Sequence, residues 1–195
     1  IGVVNNGRID LHYRTSDDNG HTWSDTKVLI EGKGAEATDF MSVGYGDPCI
    51  VADRESNRVL VMSCAGNVSF QNGTRQRHQN IARFYSDDGG QTWSAPEDIA
   101  ESIYSQFDAS SYGPVRSMFV ASGRIMQSST VKVGSHYRLY CAVLVRDRMA
   151  THMNYVLFSD DFGGSWEVLG DINQPAVYNT ADEPKVERSE EHTSE

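Results

Sequence analysis

One eight-residue motif occurs three times in this chain and limits its fold more than any other feature. The copies are Ser16-Asp17-Asp18-Asn19-Gly20-His21-Thr22-Trp23, Ser86-Asp87-Asp88-Gly89-Gly90-Gln91-Thr92-Trp93 and Ser159-Asp160-Asp161-Phe162-Gly163-Gly164-Ser165-Trp166. All fit the frame Ser-x-Asp-x-Gly-x-Thr/Ser-Trp, and the central aspartates Asp18, Asp88 and Asp161 stand 70 and 73 residues apart. Three matches at a near-constant period mark a repeated supersecondary unit, as in blade or solenoid architectures.

Each box has the composition of a tight hairpin. Asp and Ser side chains accept hydrogen bonds from their own turn backbone, and Gly supplies positive φ. The Trp returns the chain to a strand and offers a large apolar face. A strand-like run precedes every copy, at residues 9–14, 80–85 and 154–158; the first alternates apolar and polar with period two. The box Asp and Trp residues are therefore read as fold elements, not as catalytic carboxylates and sugar platforms. The Asp-x-Asp-x-Gly spacing touches on a calcium loop, but the terminal Glu and flanking helices of an EF-hand are missing. The chemistry is expected elsewhere.

The rest of the chain reads as strands separated by polar turns. Residues 27–30 form a strand, and 48–52 and 59–63 form two more joined by a hairpin connection at 53–58. Residues 67–79 read as a long surface loop. Residues 115–120 and 123–127 read as a strand pair around Ala121-Ser122, 137–145 as a strong strand, and a last strand is expected from near Lys185. No helical periodicity beyond two turns stands out. With about four strands per blade, each period fits one blade. The expectation is an all-β chain, roughly three blades of a six-bladed β-propeller, with the partial propeller at 1–186. Residues 187–195 lack apolar partners and read as a solvated, disordered or foreign tail. The chain opens at Ile1 without a methionine, so a longer parent protein is expected.

Composition removes several function classes. A net charge of −10 disfavours a nucleic-acid partner. No stretch reaches the apolar length of a membrane span. Cys49, Cys64 and Cys141 are odd in number and widely spaced, which supports neither a disulfide framework nor a zinc site. Cys49 and Cys64 read as buried free thiols. No motif assigns a metal or cofactor. Asn67-Val68-Ser69 and Asn72-Gly73-Thr74 match the glycosylation sequon, a triplet common by chance.

Two places could carry chemistry. In Tyr45-Gly46-Asp47-Pro48 a carboxylate stands between a Gly that lets the backbone turn and a Pro that opens a strand. Read locally, Asp47 also fits a cap on that turn. In Thr180-Ala181-Asp182-Glu183-Pro184-Lys185 two adjacent carboxylates precede a Pro. In an extended segment they would face opposite ways, so only one could face a central axis. A polar turn with a surface Glu–Lys pair fits as well.

Taken together these residues resemble the bacterial exo-α-sialidases, or neuraminidases, which carry Asp-box (BNR) repeats. The resemblance runs from Ile1 to about Val186. It rests on the order box, Gly-Asp-Pro-Cys-Ile-Val, box, Gly-Pro-Val-Arg, box, Ala-Asp-Glu-Pro-Lys. It implies a six-bladed propeller that removes terminal sialic acids from glycoproteins, glycolipids or oligosaccharides with retention, in a secreted, periplasmic or cell-surface protein. In that family three arginines clamp the sugar carboxylate bidentately. A tyrosine attacks the anomeric carbon, with a Glu as its base and a loop Asp as acid/base. The resemblance implies that Glu183 is that catalytic Glu, that Asp47 is an active-site Asp that lies near the substrate or orients the clamp, and that Arg116 of Gly113-Pro114-Val115-Arg116 is a candidate either for lining the pocket or for a structural role. It places the acid/base Asp just ahead of Ile1-Gly2 or at the very start of the chain, one clamp arginine before Ile1, and the other two arginines and the tyrosine after Glu195. Two other readings remain open at this point: a non-catalytic box propeller that binds peptide or carbohydrate, and a plant-polysaccharide hydrolase on the same fold.

Overall fold

A computed structural model describes residues 7–174 and 181–187; the expected tail falls almost wholly outside them. Three sheets, antiparallel except for one short strand, follow one another along the chain, each with one box. The first contains β1 (Leu11–Tyr13) and β2 (Lys27–Ile30), paired from Leu11↔Ile30 to Tyr13↔Lys27. The second is built from β3 (Tyr45–Ala52), β4 (Val59–Ala65), β5 (Asn80–Ser86) and β6 (Glu97–Asp98) in spatial order. Strand β4 is buried at every position, as expected of a mid-blade strand covered on both faces. After α1 (Ala100–Phe107) come β7 (Ser117–Val120), β8 (Gly123–Arg124) and β9 (Met126–Val133). Strands β10 (His136–Arg146), β11 (His152–Ser159) and β12 (Glu167–Val168) follow, and β7 and β9–β12 make the third sheet. Thus two sheets are full blades, and the first is an outer pair among the described residues.

Each box closes the hairpin between the two outermost strands of its sheet, and the three are near copies in atomic detail. In the third, Gly163 N donates to Ser159 Oγ at 2.7 Å, and Ser165 N and Oγ donate to the two Asp161 oxygens at 2.8 and 2.7 Å. Thr22 with Asp18 and Thr92 with Asp88 repeat this pairing at 2.6–2.9 Å. These bonds favour the ionised carboxylate. The Thr22 hydroxyl and amide hold Asp18 at a pKa of about 2.

The boxes also dock each sheet on the one before. Arg83 of β5 donates to Gly163 O and Gly164 O at 2.5 and 2.7 Å, and the Tyr85 hydroxyl donates to Phe162 O at 3.1 Å. Gly163 sits at φ +83°, where an added Cβ would lie 2.4 Å from Leu60 Cδ2. Docking decides the fate of the three tryptophans. Trp166, backed by a full blade, is 4% exposed. Trp93 meets only the short first sheet, edge-on to Tyr13 at 5.6 Å. Trp23 has no preceding sheet among the described residues and is 59% exposed.

Two sequence expectations need correction. The stretches 115–120 and 123–127 do not pair with each other: β7 pairs β10, Gly123–Arg124 joins β3 of the previous blade in parallel, and Met126–Gln127 pairs β10. No strand starts near Lys185 within 181–187; its ammonium instead donates to Ser122 O. Residues 67–79 do form a loop, and it is pinned to the third sheet and to α1. Ser117 Oγ donates to Phe70 O at 2.5 Å, and Arg75 forks onto Glu101 and Asp108 at 2.6–2.9 Å. The His78 ring also stacks on Tyr104 at 3.7 Å. Gly73 lies so close to β7 that a Cβ there would be 2.2 Å from Ser117 Oγ.

The main core fills the seam between the second and third sheets. Ile103, Tyr104 and Phe107 of α1 are fully buried in it with Cys49, Leu60, Met62, Leu139 and Val143. All three cysteines are free and buried, as the apolar strand patterns suggested for Cys49 and Cys64.

Candidate functional site

The second and third sheets leave a hollow of about 230 Å³ at the inner end of their seam. It is smaller than the ~300–1,000 Å³ of a complete small-molecule site and matches one wall or subsite of one. One side is acidic: Asp47, Asp182 and Glu183 line it. The other is aromatic, with Phe70 and Phe119 edge to face at 5.3 Å. Ser69, Gln71 and Gln79 complete it.

Asp47 reaches the hollow because β3 is interrupted. The β3–β4 register runs Tyr45↔Ala65 and Gly46↔Cys64, then resumes at Cys49↔Met62. Asp47-Pro48 is the irregular step, a β-bulge that re-aims a side chain. Asp47 sits there at φ +48°. Glu183 sits at φ +39°. Both are non-glycine residues in the left-handed region, and both precede a proline, which itself disfavours helical backbone. Such strain persists only where surroundings enforce it, and it concentrates at functional sites. It also overturns the expectation that Asp182 and Glu183 must face opposite ways. The segment is not extended there, Glu183 N donates to Asp182 Oδ1 at 3.0 Å, and both side chains line the same hollow.

The segment 181–187 is held from two sides. Ala181 O lies 3.3 Å from His152 Nδ1, and His152 meets Phe70 edge-on at 5.2 Å. Phe70 therefore connects the pinned loop, β7 through Phe119, and the strand end that supports Ala181. Electrostatics in the hollow oppose those in the boxes. Burial pushes the Asp47 carboxyl above its ordinary pKa, and the Glu183 carboxylate adds to the rise, with Lys185 opposing.

Of the three residues singled out from sequence, Asp47 and Glu183 come together. Arg116 does not line this hollow; it is exposed, and its Nε donates to Arg148 O at 3.1 Å. Sequence reasoning missed Phe70, Phe119 and Gln79. The two rings sit in segments with no motif, and Gln79 ends the polar loop stretch 67–79. No cluster of three or more metal-ligating side chains occurs among the described residues.

The sheets, the boxes and this seam define a class: part of a sialidase-like β-propeller. The BNR repeat-like domain family matches residues 4–184, and the chain belongs to that family. The chain is also 27% identical over 175 residues to a sialidase of Micromonospora viridifaciens, covering 85% of this chain and 25% of that protein. Among solved structures, the Hadza microbial sialidase Hz136 superposes with a TM-score of 0.63 at 22% identity, over 82% of this chain and 30% of its own. A leech intramolecular trans-sialidase complexed with 2,7-anhydro-Neu5Ac gives 0.63 at 12% identity, over 86% and 40%. Trypanosoma rangeli sialidase in complex with sialic acid gives 0.58 at 14%, over 80% and 24%. The chain thus spans about a quarter of the curated relative. The solved structures share its fold.

Proposed function

We propose that the protein containing this chain is an exo-α-sialidase. It would hydrolyse terminal α-linked sialic acids of glycoproteins, glycolipids or oligosaccharides with retention, outside the cytoplasm. The observation that supports this most is the convergence of Asp47 and Glu183, two strained pre-proline carboxylates, on one hollow. In this reading Glu183 is the base that eases use of a tyrosine nucleophile, and Asp47 contacts the sugar. The tyrosine avoids bringing a second anion towards an anionic substrate. Arg116 would act at the pocket's rim rather than in this hollow.

The lining residues limit which part of the sugar can enter. Three carboxyl groups would repel the sialic acid carboxylate, so that group must lie away from this wall, at the arginine clamp the mechanism requires. What fits here is an uncharged part of the sugar rich in O–H and N–H donors.

The 195-residue chain alone carries at most the base and the accessory Asp of this mechanism. We expect it to be inactive on a fluorogenic sialoside while the whole protein turns the substrate over. Turnover by the isolated chain above a heat-treated control would contradict the assignment of roles. A whole protein that binds sialosides without cleaving them would favour a carbohydrate-binding propeller instead. Equal cleavage of sialic-acid-free polysaccharides would favour another glycosidase.

A further inference from the structure

We propose that Arg116, Arg146 and Arg148 form an anion subsite beside the hollow, which binds a carboxylate or sulfate carried by the aglycone of the sialoside. The proposal rests on the sialoside reading above and adds to it a preference among leaving groups. Three arginines meet here in a chain whose net charge is −10. Arg116 N donates to Arg146 O at 2.8 Å, and Arg116 Nε donates to Arg148 O at 3.1 Å. Elsewhere arginines are answered by acids: Arg75 by Glu101 and Asp108, Arg83 by Glu97 and Arg138 by Asp160, at 2.6–2.7 Å. None of the three makes an ion pair among the described residues; Arg146 has only Gly73 O, at 3.4 Å from its Nη1. The neighbouring Asp147 is buried and engaged in its own turn, its Oδ1 accepting from Met149 N and Thr151 N at 2.8 and 2.7 Å.

The cluster is open to a ligand and stands next to the aromatic wall. Arg116 and Arg148 are exposed, and Arg146 is half-buried. Arg146 pairs with Ser117 on β7 and with His152 on β11. Ser117 Oγ holds Phe70 O, and the His152 ring meets Phe70 edge-on, so both neighbours touch a residue that lines the hollow. Burial and the nearby Arg116 charge hold Arg146 below its ordinary pKa, with Asp147 opposing. Like charges gathered without a counter-ion repel, and a bound anion relieves that repulsion. Planar guanidiniums also match the paired oxygens of carboxylate and sulfate. A terminal sialic acid has one carboxylate, which the mechanism gives to its own clamp. A second anion on the substrate therefore lies on the aglycone.

The test uses the whole protein and three sialosides with the same terminal sialic acid: one on neutral lactose, one on lactose bearing a sulfate, and one on a second sialic acid. Arg148→Gln breaks no side-chain bond seen among the described residues. It should lower the anionic-to-neutral ratio of kcat/KM about 10-fold relative to wild type, mainly through KM, and Arg116→Gln should do the same. Both substrates meet the same enzyme sample, so a partly unfolded variant leaves that ratio unchanged and does not imitate the effect. The anionic substrate that shows the fall identifies sulfate or carboxylate as the ligand. Added salt should shrink the wild-type ratio more than the variants'. A ratio unchanged on both anionic substrates overturns the proposal; an accompanying equal loss on all three would put these arginines on the terminal sugar itself. A wild type inert towards all three removes the sialidase reading and the proposal together. An active wild type whose ratio survives both substitutions removes the proposal alone.

Discussion

The box turns and the hollow both depend on aspartates beside strained backbone, and they use them in opposite ways. In a box the Ser, central Asp and Thr side chains are answered within the same turn: Ser86 Oγ donates to Asp88 and accepts from Gly90 N, and Thr92 donates twice to Asp88. Their carboxyl pKa values are pulled down by those bonds, Asp18 to about 2. In the hollow Asp47 is pushed up by burial and by Glu183, and two carboxylates sit at left-handed pre-proline positions. Groups satisfied at home stabilise a fold. The carboxylates of the hollow instead line open space.

Mutations should separate the two regions, and the largest effect should fall on catalysis. Glu183→Gln in the whole protein should lower kcat by about 10²- to 10⁴-fold, the usual contribution of a general base. Because Glu183 is exposed, Tm should barely move. A large loss of Tm with kcat per folded molecule intact would make Glu183 a structural residue and break the comparison. In the boxes the pattern should invert. Trp166→Ala removes a buried indole from the seam and should cost about 3–5 kcal/mol of stability by denaturant titration. Trp23→Ala, at an exposed indole, should cost well under that in the same titration of this chain.

The smallest effects concern pH, where the two regions have opposite signs. Asp18 is depressed in the folded chain, so its contribution is present above the ordinary value of 3.8 and is lost as pH falls towards about 2. Thermal melts should show acid loss across that window, and Asp18→Asn should flatten it. Asp47 is raised, so its ionisation weakens the fold as pH climbs through and above 3.8. Asp47→Asn should therefore raise Tm at neutral pH, with the gain vanishing below about pH 4. A neutral-pH loss in that variant would mean that ionised Asp47 has a stabilising partner.

What the sequence displayed and what it hid follow the range of the interactions. The boxes were legible because their bonds join residues at most four apart. Asp47 and Glu183 were legible as carboxylates before prolines in a recognisable order. The helix Ala100–Phe107 carried a readable signal, since Ala100, Ile103, Tyr104 and Phe107 follow the helical period and are its buried residues. At little more than two turns among strands, that period is too short to stand out. The pairing of Gly123–Arg124 with β3 had no local signal, because the partner strand lies in the previous blade. Gln79 stayed hidden for the same reason, because the walls of its hollow come from distant segments.

The parallel pairing of β8 with β3 has a mechanical result. Cys49↔Gly123 and Ile50↔Arg124 join one wedge to the next by backbone bonds, immediately after the Asp47 bulge, and Ile125 N donates to Ile50 O at 2.9 Å. Arrays of repeats can melt one unit at a time when only side chains join neighbours. Here the ribbon that changes wedges follows directly on the strained Asp47, so prying the pair apart would dismantle the acidic wall of the hollow in the same event.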